Sequence, residues 1–365
     1  MATNGISMAT AAYTIVTDMS SSQAATTPET NHTEIECTLF DSVYQCYVLA
    51  TVLKVFASFS FIGCVVIISI IFIFRRYRIF SQRMILYLII AASMQNIGYF
   101  WGDVYRSGGA LCRFQGFWLT LWLWCVTAWV IAMTFNIYMS GVRETITEKY
   151  EWGYHVVCWG APFVMSCLPF ADLEGGYGPA GVYCWIVAWG WRFGIWYIPV
   201  LLIVGTLFVT YTYIILKLRA KANSWYGTFD PLRESRRQQL KEDIRPLKWY
   251  PLVYLILAVF PLANRIQNIA SPKASFPLYL LMVIFSTLKG FVYAVLFLLD
   301  RQTIQAIRHS NVKTAILHRS TSMEYNTSIQ EYNPTVIPNP VGDPVDLINI
   351  QGFDESTGTD NETRM

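Results

Sequence analysis

Charge is the first thing this sequence lacks. Only 14% of its 365 residues are charged, against 54% hydrophobic and 16% aromatic, where a soluble domain carries about a quarter. The charges crowd into short segments between long apolar runs. Single runs exceed the ~18 apolar residues that mark a membrane span, which excludes a soluble helical bundle. The net charge of +3 gives no footing for nucleic acid. The first 48 residues hold no Lys or Arg. They also lack the basic start, apolar core and cleavage site of a secretory signal peptide. Insertion is therefore expected to rest on the first apolar run, acting as an uncleaved anchor.

Histidine is equally scarce. His32, His155, His309 and His318 are scattered, and no two have metal-ligand spacing. No Ser–His–Asp set or carboxylate pair stands within the apolar runs. An enzyme, a metal centre and a cofactor are not expected. The glycine-rich stretch Gly175 to Gly181 is followed by no Lys-Ser/Thr, so it reads as a flexible loop rather than a phosphate cradle.

What is present is seven apolar runs, at 49–74, 84–104, 112–140, 152–171, 191–218, 248–270 and 276–299. Each is long enough, at 1.5 Å rise per residue, to cross a ~30 Å hydrocarbon core as a helix. Helices are required because lipid offers no partner to a free backbone group. The expected fold is an all-α membrane protein, a seven-transmembrane helix bundle over 49–299. A tail at 1–48 precedes it. A short interfacial helix over 300–319 and a disordered tail over 320–365 follow it. Pro162, Pro169, Pro199 and Pro261 are expected to kink their helices.

The basic residues set the orientation. Arg75, Arg76, Arg78 and Arg83 crowd the first loop. Lys217, Arg219, Lys221, Arg233, Arg236, Arg237, Lys241 and Arg245 crowd the fifth. These loops belong in the cytosol, where Arg233, Arg236, Arg237 and Lys241 are candidate contacts for a signalling partner. The N-terminal tail, with Glu29, Glu34, Glu36 and Asp41, then lies outside and the C-terminus inside. Asn31-His32-Thr33 becomes a glycosylation sequon on the oxidising side. There Cys112 and Cys184 are expected to be bridged, and Cys37 and Cys46 to close a small loop before the first span. Cys64, Cys125, Cys158 and Cys167 lie inside spans as small apolar residues. The final Thr363-Arg364-Met365 has the form of a class I PDZ-domain ligand.

Ionisable residues inside spans cost about 2.5–3.5 kcal/mol each on insertion scales and so need a partner, water or a task. Lys54, Asp103 and Arg265 lie near the outer ends, where they either share a water-filled cavity or snorkel to the headgroups. Lys289 lies deeper. It offers a Schiff-base site for retinal, but the third span holds no Asp or Glu to serve as counter-ion. Snorkelling or a polar neighbour is the alternative. Trp118, Trp122 and Trp129 fall on one side of the third span, as a pocket wall or as a packing seam.

Three stretches carry a family resemblance. They are Phe80-Ser81-Gln82-Arg83-Met84-Ile85-Leu86-Tyr87-Leu88, the pair Trp249-Tyr250-Pro251 and Asn264-Arg265-Ile266, and Lys289-Gly290-Phe291-Val292-Tyr293-Ala294. With Cys184-Trp185 they resemble the cyclic-AMP-receptor-like group of G-protein-coupled receptors (class E), which neighbours the secretin and adhesion receptors. Asp-Arg-Tyr and Asn-Pro-x-x-Tyr, the rhodopsin-like marks, are absent. Lys289 and Tyr293 stand where the group often has Gln and Asn, and Val259-Phe260 where it often has a Trp.

The resemblance implies a plasma-membrane receptor that carries an extracellular small-molecule signal to a heterotrimeric G protein. The surplus of cations at the outer ends points to an anionic ligand, held by Arg265 with Lys54 and lined by Trp118 and Trp122. A transporter or channel is the rival class. It is disfavoured by the odd span count and the lack of internal repeats.

Overall fold

A computed structural model describes residues 40, 42–101, 108–172, 176–223, 245–270, 275–300 and 303–305. Asp103, Asn31, Cys37, the loop bases Arg233, Arg236, Arg237 and Lys241, and the tail with Thr363 and Met365 lie outside the described residues, as do residues 306–319 of the expected interfacial helix.

The described chain is helical apart from one small hairpin. Its elements run α1 (Val43–Ile73), α2 (Phe80–Tyr99), α3 (Gly109–Gly141), α4 (Glu148–Ala171), β1 (Tyr177–Pro179), β2 (Cys184–Ile186), α5 (Trp189–Ala220), α6 (Arg245–Ala270), α7 (Phe276–Thr287) and α8 (Lys289–Leu299). By length and composition α1, α3, α4, α5 and α6 can each cross a bilayer. The pair α7–α8, bent by 47°, makes a sixth crossing when taken as one broken span.

Helix α2 falls short of that measure for a physical reason. It is packed against α1, α3 and α8, and most of its surface faces protein, with Gln82, Ser93, Gln95 and Asn96 all buried. A helix so enclosed satisfies its polar groups inward instead of presenting an apolar stripe. Asn96 Nδ2 donates to Ser60 Oγ of α1 at 2.9 Å.

The break between α7 and α8 falls at Leu288. The first N–H groups of α8 have no intrahelical partner there, and Phe291 N–H donates to the same Ser60 Oγ at 3.3 Å. One hydroxyl therefore joins α1, α2 and α8. The approach is close enough to need glycine: a Cβ on Gly290 would sit 2.5 Å from Ser60 Oγ and 2.6 Å from Cys64 Sγ.

The proline expectation takes a specific form. A π-helical stretch, Val156–Gly160, immediately precedes Ala161-Pro162, and another, Arg192–Tyr197, precedes Ile198-Pro199. The wider π turn relieves the clash of the proline ring with the carbonyl four residues back. Pro169 sits in a 3₁₀ turn, Leu168–Ala171, that ends α4. Pro261 lies inside α6.

The hairpin corrects the expectation of a flexible glycine-rich loop over residues 176–181, while the fold remains a helical one. Strands β1 and β2 pair antiparallel, with Tyr177 opposite Ile186 and Pro179 opposite Cys184. Cys184 is bridged to Cys112 at the start of α3. Gln115 Oε1 accepts from Cys184 N–H at 3.1 Å, and Tyr177 Oη donates to Ser166 O at 2.9 Å. Cys184, Trp185 and Ile186 are all buried. Glycine content hid the strand pair, because Gly181 is needed for its turn at φ +99°. Cys46 is also disulfide-bonded; its expected partner Cys37 is not among the described residues.

Candidate functional site

At the hairpin end the helices part around a cavity of about 90 Å³. Its walls come from α2, α3, α5, α6, α7 and α8, and the hairpin segment contributes Tyr183 and Trp185. Two lining residues are cationic, Arg265 of α6 and Lys289 of α8. Among the described residues no lining side chain is Asp or Glu. The other polar groups are Gln95, Tyr99, Tyr183, Tyr197, Tyr254 and Ser286.

Arg265 lies five positions from the end of α6, so its guanidinium enters near the hairpin. It stacks over the Trp185 ring at 4.2 Å from the centroid, with Tyr183, Tyr197 and Tyr279 as neighbours. The planar, weakly hydrated guanidinium suits such an aromatic face. Tyr197 is buried, and its hydroxyl has no hydrogen-bond partner among the described residues.

Lys289 lies thirteen positions from the start of α7, about 20 Å deep along the helix rise. It is 7% exposed. Its ammonium stands 5.8 Å from the centroid of the Tyr254 ring, and that tyrosine's hydroxyl shares a 2.9 Å hydrogen bond with Thr127. Among the described residues Lys289 has neither a carboxylate nor a hydrogen-bond partner. It does not snorkel out of the bundle; it forms the floor of the cavity that Arg265 roofs.

The expected ligand set is therefore rearranged. Arg265 lines the cavity, whereas Lys54 is exposed on α1 and does not. Trp118 and Trp122 do not line it either. Trp118 Nε1 donates to Met94 O at 2.7 Å, and its ring packs on Trp101, Phe114 and Trp122. Trp122 and Trp129 both pack on Trp159 of α4. The tryptophans form a seam among α2, α3 and α4. One residue further along α3, a rotation of 100°, Leu119 and Leu123 face the cavity.

Arg192 and Arg113, two further cations toward the hairpin end, do not line the cavity. Arg192 Nε donates to Ile186 O at 2.6 Å and braces the hairpin. Arg113 is exposed. Sequence reading missed Lys289, Tyr197 and Trp185 as lining residues. The motifs Lys289-Gly290-Phe291 and Cys184-Trp185 were the signals that could have found them.

The opposite end of the bundle is held by charge. Arg83 of α2 grips Glu151 of α4 with both arms of its fork, at 2.7 Å each, and reaches Glu148 at 2.8 Å. Tyr87 Oη donates to the same Glu151 at 3.3 Å. Arg76, in the turn between α1 and α2, bonds Thr303 just past α8, and Asp300 Oδ2 accepts from Thr303 N–H at 3.3 Å. Burial lowers the pKa of Arg76, and the Asp300 charge opposes that shift. Tyr211 Oη donates to Lys248 O at 2.7 Å, joining α5 to the start of α6.

Comparison with known proteins bears directly on this architecture. The sequence pattern of the family described as slime mold cyclic AMP receptor matches residues 40–332. Cyclic AMP receptor-like protein A of Dictyostelium discoideum is 22% identical over 245 residues, covering 66% of this chain and 61% of that protein. G-protein coupled receptor 157 of Homo sapiens is 24% identical over 246 residues, covering 62% and 72%. Cyclic AMP receptor 4 of Dictyostelium discoideum is 29% identical over 189 residues, covering 49% and 38%. The match thus spans less than two thirds of the length of these slime-mould relatives.

Proposed function

This chain belongs to the slime mold cyclic AMP receptor family, and from that premise we propose a receptor that binds an extracellular anionic small molecule and signals to a heterotrimeric G protein. It is a multi-pass membrane protein of a receptor family, and the retinal and transporter readings are not favoured. In the proposed topology α2 serves as a seventh crossing, since its 20 residues span about 30 Å. The hairpin end lies outside, the Arg83 end lies in the cytosol, and the bundle occupies 49–299 between the two tails.

One observation carries the reading: among the described residues, the lining of a cavity inside the bundle holds two cations and no acid. An ionisable residue within a membrane bundle is costly and points to a functional site. The relatives' names give the ligand of some of them as cyclic AMP, an anion, and the cavity's charge agrees with a ligand of that sign. Ligand binding favours one of two bundle arrangements. The joint between α5 and α6 at Tyr211 and Lys248 would then open toward the G protein, with Arg233, Arg236, Arg237 and Lys241 as contacts. Glycosylation at Asn31 and a PDZ partner for Thr363 and Met365 stand as further proposals.

The test is nucleotide exchange on a heterotrimeric G protein reconstituted with the full chain, challenged with cyclic AMP and with a panel of anionic, neutral and cationic metabolites. Activation confined to anions supports the reading. Activation by a neutral molecule alone refutes it.

A further inference from the structure

We infer that the cavity is built for an elongated ligand with an anionic group at each end, Arg265 holding the outer group and Lys289 the inner one. This rests on the receptor reading above and adds a substrate class to it.

The two cations are at different levels. Arg265 sits about 8 Å from its end of α6 and Lys289 about 20 Å from its end of α7–α8, so they are separated by something on the order of 10 Å along the bundle. Each is served by its own polar groups. The outer cation has Tyr197, whose buried hydroxyl has no partner among the described residues and which lines the cavity. The inner cation shares the floor with Ser286 and Tyr254. Between the two levels the walls are apolar, formed by Leu119, Leu123, Ala258 and Leu262. A compact monoanion bound at Arg265 leaves the Lys289 ammonium desolvated without a counter-charge, which low-dielectric surroundings penalise. A second anionic group, carried through the apolar neck by the same molecule, removes that penalty. The Tyr254 ring alone offers only a cation–π contact, at 5.8 Å, near the limit at which such contacts count.

Binding of straight-chain α,ω-dicarboxylates of increasing length, each paired with its monocarboxylate and its diol, tests this on the full chain in lipid nanodiscs. The inference predicts that one length of dicarboxylate binds at least about tenfold more tightly than its monocarboxylate. Lys289→Gln should abolish that preference by weakening the dicarboxylate far more than the monocarboxylate, and Arg265→Gln should weaken both acids. Equal binding of the two acids at every length, both lost in Arg265→Gln, overturns the inference while the anionic-receptor reading stands. A preference that survives Lys289→Gln also overturns it. If neither acid binds better than its diol, both readings fall.

Discussion

The guanidinium of Arg265 lies 4.2 Å from the centroid of the Trp185 ring. That contact joins α6 to the hairpin, and the hairpin is fastened in turn to α3 through Cys112–Cys184. Ligand that draws on Arg265 therefore pulls on three elements at once: α6, the hairpin and α3. Removing the tether should be felt at the binding site. Without reductant, thiol labelling of intact cells should miss Cys112 and Cys184. The double variant Cys112→Ser, Cys184→Ser should lose about 2–4 kcal/mol of stability, read as a lower thermal midpoint in detergent. Labelling of either thiol in the unreduced protein contradicts the bridge.

Tyr197→Phe separates a binding role from a packing one. The hydroxyl has no partner among the described residues, so its loss should leave the thermal midpoint of the ligand-free protein unchanged. If an anionic ligand accepts from it, affinity should fall by about 1–1.5 kcal/mol, or roughly five- to tenfold. A drop in ligand-free stability would show instead that the hydroxyl is satisfied within the fold.

Gly290→Ala addresses the junction of α1, α2 and α8. The added Cβ would be 2.5 Å from Ser60 Oγ, whereas at Gly63 it would be 3.1 Å from Ala294 Cβ. Overpacking of this kind costs about 1–3 kcal/mol. Gly290→Ala should therefore lower the thermal midpoint more than Gly63→Ala. Equal effects would show that Ser60 yields easily.

The Arg83 clamp depends on shape as well as charge. Arg83 and Glu151 are 19% and 25% exposed, and the contact is two-armed. Arg83→Lys keeps the charge but loses the fork, so it should recover only part of the stability lost in Arg83→Ala. Breaking a partly buried pair of this kind costs on the order of 1–3 kcal/mol. Lys behaving like Arg in thermal unfolding would contradict the geometric account.

Much of the architecture was legible in the sequence, and the misses have physical causes. Length and hydropathy marked the apolar helices because lipid imposes those requirements on each span separately. Helix α1 begins at Val43, ahead of the apolar run at 49, because a helix continues past the hydrocarbon where hydropathy no longer requires it. The Cys112–Cys184 bridge followed from both cysteines being placed on one side. Arg265 was singled out because charge in a span is expensive, and it lines the cavity. Trp118 and Trp122 were misplaced because periodicity gives which residues share a face, not which neighbour that face meets. Lys289 was set aside as a retinal site for want of a carboxylate in α3, and among the described residues the cavity lining supplies none either. The hairpin escaped notice because glycine weakens any strand pattern, while its order comes from the disulfide and from Gln115, both distant in sequence.

The most direct measurement compares activation by an anionic agonist in wild type, Arg265→Gln and Arg113→Gln, read as G-protein nucleotide exchange at matched surface level. Loss of a charge-assisted contact is worth about 1.5–3 kcal/mol. Arg265→Gln should therefore raise the agonist concentration needed by roughly ten- to a hundredfold, while the exposed Arg113→Gln stays close to wild type. Arg265→Gln responding as wild type does, or an uncharged agonist driving full exchange, would contradict the cationic cavity as the site of recognition.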